Sequence, residues 1–274
     1  MKRSILVAFA MVAACILSLQ TCLASAQTYL LTNYLGPTGG VTVDGKWTSA
    51  SEWTDAMTAP SLPSSILFRE KWEYPGTTNI VEYVLVEFYT DNTNTTGDFF
   101  QYCLDPLANG GSAPQADDVL INYTGHNRSG LTLYKGNGTG WARWTGWTYG
   151  TDVAIADSRT GSQMNATSHW IIELMMDRSN PNFDTSGAST AYQPLIRVAV
   201  YDQNNTSQGV QSWPPSTSQN APSTWGTESG QYAAIPESLT ILPITLISFI
   251  AVAVSIYFFH RKPRAKNLGI GRID

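Results

Sequence analysis

The feature that most constrains the fold of this chain is a series of short β-branched and aromatic runs separated by Gly, Asn, Asp and Pro. Such runs are typical of strands, and helical periodicity is rare along the chain. Their spacing predicts an all-β fold, an antiparallel β-sandwich. The clearest predicted strands are 80–89, 99–104, 119–123, 131–134, 170–176 and 195–201.

Two of these runs carry further expectations. The run from Val84 to Tyr89 is apolar except for Glu87, which favours a central strand covered on both faces. Cys103 lies within the second run, and we expect its thiol to be buried in a strand. Because Cys15 and Cys22 precede the predicted cleavage site described next, the mature domain would have no intrachain disulfide.

The N-terminus has the pattern of a secretory signal peptide. Lys2 and Arg3 precede an apolar run over 5–19, and Ala24-Ser25-Ala26 is a small-x-small cleavage pattern. We therefore predict a signal peptide over 1–26. The alternative is an uncleaved membrane helix, for which the apolar run is short.

The C-terminus has the pattern of a membrane anchor. Residues 239–259 contain no charged residue, and a helix of roughly this length spans a bilayer. The basic cluster of residues 260–266 follows, so the tail is expected in the cytoplasm. The predicted organisation is an extracellular β-sandwich over 27–227, a stalk over 228–238, the transmembrane helix over 239–259 and a cytoplasmic tail over 260–274. This predicts a single-pass protein of the cell surface.

The charge of the predicted ectodomain restricts its partners. Residues 27–238 hold 9 of the 16 Lys and Arg but 20 of the 21 Asp and Glu. Such an acidic domain repels phosphate backbones, so nucleic acid is excluded as an expected partner, while divalent cations are favoured. The same region carries seven glycosylation sequons, which fit an extracellular glycoprotein. They are Asn94, Asn122, Asn127, Asn137, Asn165, Asn204 and Asn205.

Motifs spread over residues 40–227 resemble the family 9 carbohydrate-binding modules and related DOMON-like domains. The opening is Val43-Asp44-Gly45-Lys46, then Glu52-Trp53 and Asp55-Ala56, and the centre is the segment 98–106. The ending comprises the segments 170–174, 198–202, 212–213 and 222–226. The resemblance implies a sandwich and a non-catalytic carbohydrate-binding function.

The residues of the family's sugar site do not match the equivalent positions of this chain. That site stacks a sugar ring between two tryptophans and fixes it with charged partners. The positions equivalent to the tryptophans are Thr95 and the vicinity of Gln219, and those equivalent to an acidic and a basic partner are Gln101 and Leu120. Trp213 or Trp225 could supply a displaced stacking surface, although Trp53, Trp170 and Trp225 are expected in the core.

A second candidate ligand site is the aromatic segment 141–149. If this segment is extended, alternate residues share one face and form an aromatic strip with an arginine in it. Such a strip can stack sugar rings or peptides, and the alternative is that it forms the inner face of a sandwich layer. The residues of the strip are Trp141, Arg143, Thr145, Trp147 and Tyr149.

Calcium is a possible cofactor, since Asp98, Asp105, Asp117 and Asp118 offer hard oxygen ligands around one strand-turn-strand region. Haem is an alternative, because relatives of the sandwich bind it through Met, His or Lys. The candidate axial ligands are Met57, Met164, Met175, Met176, His126 and His169.

The expected function is that of a non-catalytic module of the cell surface that binds carbohydrate or another extracellular ligand. Motifs for hydrolases, zinc proteases and phosphate-binding loops do not occur in the sequence, so no enzymatic activity is expected. The alternative is a structural or adhesive surface protein that kept the fold and lost the sugar clamp.

The C-terminus also resembles the sorting signals of archaeal surface proteins. Pro236-Glu237-Ser238 precedes the predicted span and the basic cluster, whereas those signals begin with Pro-Glu-Phe. The resemblance implies that the helix could be exchanged for a lipid. The length of the span and its basic flank favour a retained helix.

Overall fold

The computed structural model describes residues 30–35, 40–73, 80–184 and 193–230. Thirteen strands and one short helix, α1 (Ala50–Trp53), make up the regular structure of these residues, with three 3-10 turns. The strands are β1 (Leu30–Leu35), β2 (Met57–Thr58), β3 (Ile66–Glu73), β4 (Val81–Phe88), β5 (Phe99–Asp105), β6 (Val119–Thr124), β7 (Leu131–Gly136), β8 (Trp141–Trp144), β9 (Val153–Thr160), β10 (His169–Asp177), β11 (Leu195–Tyr201), β12 (Gln211–Trp213) and β13 (Gly226–Gly230).

The strands form two sheets that share β1. Sheet A has the order β8-β7-β6-β5-β11-β13, with β12 paired to β11, and sheet B has the order β3-β4-β10-β9, with β2 paired to β3. Pairing within each sheet is antiparallel, while β1 runs parallel to both β13 and β3. The nearly all-β architecture with two antiparallel sheets agrees with the predicted sandwich.

The main core lies between the two sheets. Alternate residues of both sheets meet there, including Phe68 and Val86 of sheet B and Phe100 and Ile121 of sheet A. Burial of such apolar side chains provides the main favourable free energy of folding. All six predicted strands are confirmed, and β4 lies between β3 and β10 with Val84 to Phe88 fully buried.

The segment 40–56 covers the outer face of sheet B. We call this side of sheet B, together with the segment, the covered face. Trp47, Trp53 and Ala56 of this segment pack on Leu85 and Ile171 of the sheet. Because both partners are apolar, this cluster extends the core to the outside of one sheet. Arg69 and Lys71 of β3 complete the contact by donating hydrogen bonds to backbone carbonyls of residues 52–56.

Glu173 of β10 holds the covering segment in place. Its Oε2 accepts hydrogen bonds from the backbone N–H groups of Asp44 and Gly45 at 2.9 Å each, and its Oε1 accepts from Trp53 Nε1 at 2.9 Å. Gly45 has a φ of +77°, and a Cβ there would lie 2.5 Å from the backbone of Asp157. The Asp-Gly and Glu-Trp motifs of the sequence therefore have a structural role, because both are hydrogen-bonded to the same buried carboxyl group.

A charged network closes one end of the interior. Arg178 follows β10 and pairs with Glu82 and Glu228, and Tyr102 donates a hydrogen bond to Glu70 at 2.8 Å. Burial and the neighbouring Glu82 raise the pKa of Glu70 well above its usual range. The cost of burying these carboxyl groups is therefore offset in two ways. The guanidinium of Arg178 pairs with Glu82 and Glu228, and the raised pKa favours the protonated form of Glu70.

Seven strands were not among the clearest predicted ones, and one predicted boundary differs. These strands are β1, β2, β3, β8, β9, β12 and β13. Among them, β3 carries Arg69, Glu70, Lys71 and Glu73 and lacks an apolar alternation. Strand β13 ends at Gly230, so the predicted end of the sandwich at 227 falls inside a strand.

The predicted signal peptide, transmembrane helix and tail lie outside the described residues. Among the described residues, no helix is long and apolar enough to cross a membrane. The predicted strand 80–89, by contrast, lies wholly within them, as do all seven sequons.

Candidate functional site

The outer face of sheet A is the main candidate site, and we call it the open face. It is built by alternate residues of β5, β6, β7, β8 and β11, whose registers place them side by side. It carries half-buried or exposed polar and aromatic side chains. These are Gln101, Asn122, Thr132, Tyr134, Trp141 and Arg143, whereas Arg197 on the same side of the sheet is buried.

A row of hydrogen-bonded side chains crosses the centre of the open face. Gln101 Nε2 donates to Asn122 Oδ1 at 3.1 Å, and Arg197 Nη1 donates to Gln101 Oε1 at 3.2 Å. Arg197 is itself positioned by a bond from Nε to the carbonyl of Thr217. The amide groups of Gln101 and Asn122, fixed in this way by the buried Arg197, present a preorganised polar surface to a ligand rich in hydroxyl groups.

Aromatic and apolar side chains flank this row. Trp225 covers Cys103 and Leu120, and Tyr134 and Trp141 pack against them. Trp141 Nε1 is shielded from solvent and has no hydrogen-bond partner among the described residues. A ligand acceptor that reached this indole N–H would offset the cost of its burial.

Arg143 supplies a positive charge at the edge of the open face. Its side chain is exposed and lies opposite Tyr134 in the antiparallel pair of β7 and β8. It has no hydrogen-bond or ion-pair partner within the described part of the chain. The face thus combines a fixed polar row, two flanking aromatic rings and one unengaged guanidinium.

Cys103 lies beneath the open face and is fully buried, as predicted. Burial raises the pKa of its thiol to about 11, although the nearby Arg197 acts in the opposite direction. The thiol is therefore protonated at neutral pH and contributes packing rather than nucleophilic chemistry.

The predicted aromatic strip is not formed as one surface. Strand β8 ends at Trp144, so the extended conformation does not continue to Tyr149. Trp141 and Arg143 face the outside of sheet A, whereas Trp147 and Tyr149 pack against the core between the sheets. The expectation that Trp141, Arg143, Thr145, Trp147 and Tyr149 share one face is therefore wrong, and the strip divides between two sides of the sheet.

Trp213 is also absent from the surface. Its side chain is fully buried, packs on Phe68 with ring centroids 5.7 Å apart, and donates from Nε1 to the carbonyl of Pro60. It cannot stack on a ligand in this conformation. Trp53, Trp170 and Trp225 are buried, as predicted.

The predicted calcium ligands separate into two clusters. Ligand oxygens of Asp105, Asp117 and Asp118 lie within 4.8 Å of one another at the turn after β5. Asp118 is fully buried, and its Oδ1 has no hydrogen-bond partner among the described residues. Asp98 lies elsewhere, with Asp91 and His126.

The candidate haem ligands do not form an axial pair. His169 lies on the outer face of sheet B beside Glu87, at 3.3 Å, while His126 packs on the inward-facing Trp170. Met176 is buried in the core, and Met57 and Met164 are exposed at separate places. This arrangement does not favour the haem hypothesis.

The sequons differ in accessibility. Asn94, Asn127, Asn137 and Asn204 are exposed, and Asn165 and Asn205 are half-buried. Asn122 lies within β6 in the central row of the open face, so a glycan there would cover that face. Asn122 is thus a half-buried position on an outer strand face rather than in a loop.

Sequence reasoning named Trp141 and Arg143 but missed the central row. Gln101 was noted only as the equivalent of a family position, and Leu120, the other such position, is buried beneath Trp225. The alternation within β5 and β6 placed Gln101 and Asn122 on outward positions, and this was the available signal. Their pairing required the strand register.

Comparison with known proteins gives structural likenesses at low identity. No protein-family model and no curated protein matches the chain. A family 9 carbohydrate-binding module from Caldicellulosiruptor kristjanssonii in complex with cellotriose aligns with a TM-score of 0.42 and 13% identity, over 76% of this chain and 98% of that chain. The same kind of module from that organism in complex with glucose aligns with a TM-score of 0.42 and 13% identity, over 73% and 95% of the two chains.

A putative carbohydrate-binding protein from Bacteroides uniformis ATCC 8492 aligns with a TM-score of 0.47 and 12% identity, over 75% of this chain and 100% of that chain. At such identities and TM-scores, these likenesses decide neither the fold nor the ligand of this chain.

Proposed function

We propose that this protein is a non-catalytic binding module that recognises an extracellular glycan through the open face of sheet A. The observation that carries the proposal is the row of Arg197, Gln101 and Asn122, fixed by mutual hydrogen bonds on a surface flanked by Tyr134 and Trp141. Sugars bind to protein surfaces by stacking their apolar faces on aromatic rings while their hydroxyl groups bond to fixed polar side chains.

Location of the protein at the cell surface is part of the proposal. It is supported by the signal-peptide pattern, by the apolar segment 239–259 with its basic flank, and by sequons at exposed positions such as Asn127 and Asn137. Mass spectrometry of the native protein tests the anchor, since a retained helix leaves the C-terminal residues in place and a lipid exchange removes them.

The glycan proposal is tested by pull-down of the full chain on a panel of insoluble polysaccharides, followed by calorimetry with the oligosaccharide of the one that binds. We expect saturable binding to the wild type. Gln101→Ala should weaken it by about tenfold, because Asn122 and Arg197 each lose the hydrogen-bond partner that fixes them. Lys46→Ala, which changes an exposed side chain on the covered face, is the control and should bind like the wild type.

Absence of binding to every polysaccharide would instead favour a structural or adhesive surface protein. Binding that Gln101→Ala leaves unchanged would show that the ligand lies away from the open face. Trp147→Ala, which the sequence alone would select, is unsuitable because Trp147 packs on the core.

Structural calcium at Asp105, Asp117 and Asp118 is the second part of the proposal. The specific observation in its favour is the buried, unpartnered Oδ1 of Asp118, since an anionic oxygen in that state gains from a bound cation. A chelator should lower the melting temperature of the wild type and have no such effect on Asp118→Asn. An identical melting temperature with and without chelator in the wild type would refute calcium there.

A further inference from the structure

A second group of potential ligands lies at the end of the interior opposite to Arg178. Asp91 follows β4, Asp98 precedes β5, and His126 lies in the turn after β6. One ligand atom from each of the three lies within 4.8 Å of the others. Asp91 and Asp98 are fully buried, and the side chain of His126 is 3% exposed. The group is thus enclosed and convergent.

Asp91 brings an unsatisfied oxygen to this group. Its Oδ1 accepts hydrogen bonds from the backbone N–H and the hydroxyl of Thr93, at 2.9 and 3.0 Å. Its Oδ2 is shielded from solvent and has no hydrogen-bond partner among the described residues. A buried carboxylate oxygen without a partner is costly, so the position favours a bound cation.

His126 is oriented as a metal-binding histidine would be. Its Nδ1 lies 2.8 Å from Asp157 Oδ2, and Asp157 is itself fixed by the Tyr123 hydroxyl at 2.5 Å and by Trp170 Nε1 at 2.8 Å. A carboxylate at one ring nitrogen is the usual second partner of a histidine that binds metal through the other. With Nδ1–H donated to Asp157, the lone pair of Nε2 points to Asp98 Oδ2 at 2.8 Å.

We infer that Asp91, Asp98 and His126 form a site for a first-row divalent transition metal ion, with Asp157 as the positioning residue behind His126. Two electron-pair donors that face each other at 2.8 Å require a proton or a cation between them. In a tetrahedral site with bonds of about 2.1 Å, the ligand atoms lie about 3.4 Å apart, so small side-chain rotations would suffice.

The ligand set selects the class of ion. One imidazole nitrogen and two carboxylates suit zinc, manganese or iron, whereas calcium takes six to eight oxygen ligands. Three protein ligands leave a position for water. The site is thereby chemically distinct from the all-oxygen cluster of Asp105, Asp117 and Asp118.

Arg159 is the group that competes with the metal. Its Nη2 lies 2.9 Å from Nε2 and 3.1 Å from Nδ1 of His126, and its Nη1 donates to Asn94 Oδ1 at 3.3 Å. The buried Asp202 places a further negative charge near Asp91. Because the Arg159 side chain is partly exposed, it can move outward when a cation enters.

Titration of ZnCl2 into the chelator-stripped full chain, in excess calcium, tests the site by calorimetry. We expect one equivalent of zinc to bind, His126→Gln to weaken binding by about 100-fold or more, and Asp91→Asn by about tenfold. His169→Gln, a change of the other buried histidine on the opposite side of β10, is the matched control and should bind zinc like the wild type.

Arg159→Met keeps the test independent of folding defects, because a damaged protein does not gain affinity. Removal of this positive charge should tighten zinc binding several-fold. The inference is overturned if the wild type binds no more zinc than His126→Gln, if His169→Gln loses binding to the same extent, or if Arg159→Met fails to tighten it.

Discussion

The two outer faces of the sandwich use polar side chains in opposite ways. On the covered face, Arg69 and Lys71 donate to the backbone of the segment 40–56, and Glu173 accepts from that segment. On the open face, the buried Arg197 donates to Gln101, Gln101 donates to Asn122, and the side chains of Gln101 and Asn122 remain partly accessible at the surface. The difference teaches that polar groups that bind the chain's own backbone support the fold, whereas a self-consistent polar row on the surface is available to a ligand.

The strongest way to break this comparison is to remove the carboxyl group that holds the covered face. Glu173→Leu leaves the backbone N–H groups of Asp44 and Gly45 and the indole N–H of Trp53 without an acceptor, and the last two are buried. This should cost about 4 kcal/mol of the free energy of unfolding. Glu173→Gln keeps one acceptor oxygen and should cost about half as much. Urea denaturation measures both.

The control for this pair is Asp177→Asn, a carboxylate-to-amide change in the same strand. Among the described residues, the half-buried Asp177 side chain accepts only from the backbone N–H of Ser179. This substitution should cost less than about 1 kcal/mol. A Glu173→Leu protein as stable as this control would show that the covering segment does not depend on Glu173.

The same carboxyl group should make stability depend on pH. Burial raises the pKa of Glu173 from 4.5 to about 7, in spite of the hydrogen bonds from Trp53 and Asp44 that act in the opposite direction. A group with a raised pKa in the folded state stabilises the fold fully below its unfolded pKa and loses that contribution as pH rises through its folded pKa.

The free energy of unfolding should therefore decrease by up to about 3 kcal/mol between pH 4.5 and pH 7. Denaturation of the wild type and of Glu173→Gln across this window measures the effect, and the variant should lack this part of the decrease. Parallel pH profiles for the two proteins would contradict the assignment to Glu173.

The strands were predictable from the sequence wherever one face of a strand is apolar, but the two outer faces were not. Strand β3 was not predicted because its buried charged residues depend on partners that are distant in sequence. Lys71 donates a hydrogen bond to the carbonyl of Glu52, and Glu70 accepts one from the hydroxyl of Tyr102. The register of three strands likewise creates the row on the open face. Periodicity reports which residues alternate, and it carries no information on which distant residue meets them.

The open face can be tested by a change that removes its flanking ring. Trp141→Ala should weaken binding of the glycan identified by pull-down by more than about tenfold, because a stacking surface and an unpartnered indole N–H are lost together. Calorimetry with the wild type and with Trp141→Phe, which keeps a ring and lacks the N–H, separates the two contributions. Equal affinity in all three proteins would remove Trp141 from the site.

The smallest effect should come from the Tyr134 hydroxyl, which receives a long hydrogen bond of 3.4 Å from Thr132 Oγ1. Tyr134→Phe keeps the ring that packs beside Trp141 and removes only one polar group at the surface. If that hydroxyl contacts the ligand, affinity should decrease about two- to threefold, or roughly 0.5 kcal/mol, with unchanged stability in urea. If affinity is unchanged while Gln101→Ala still weakens binding, recognition is confined to the central row, and the open face binds its ligand nearer to β11 than to β8.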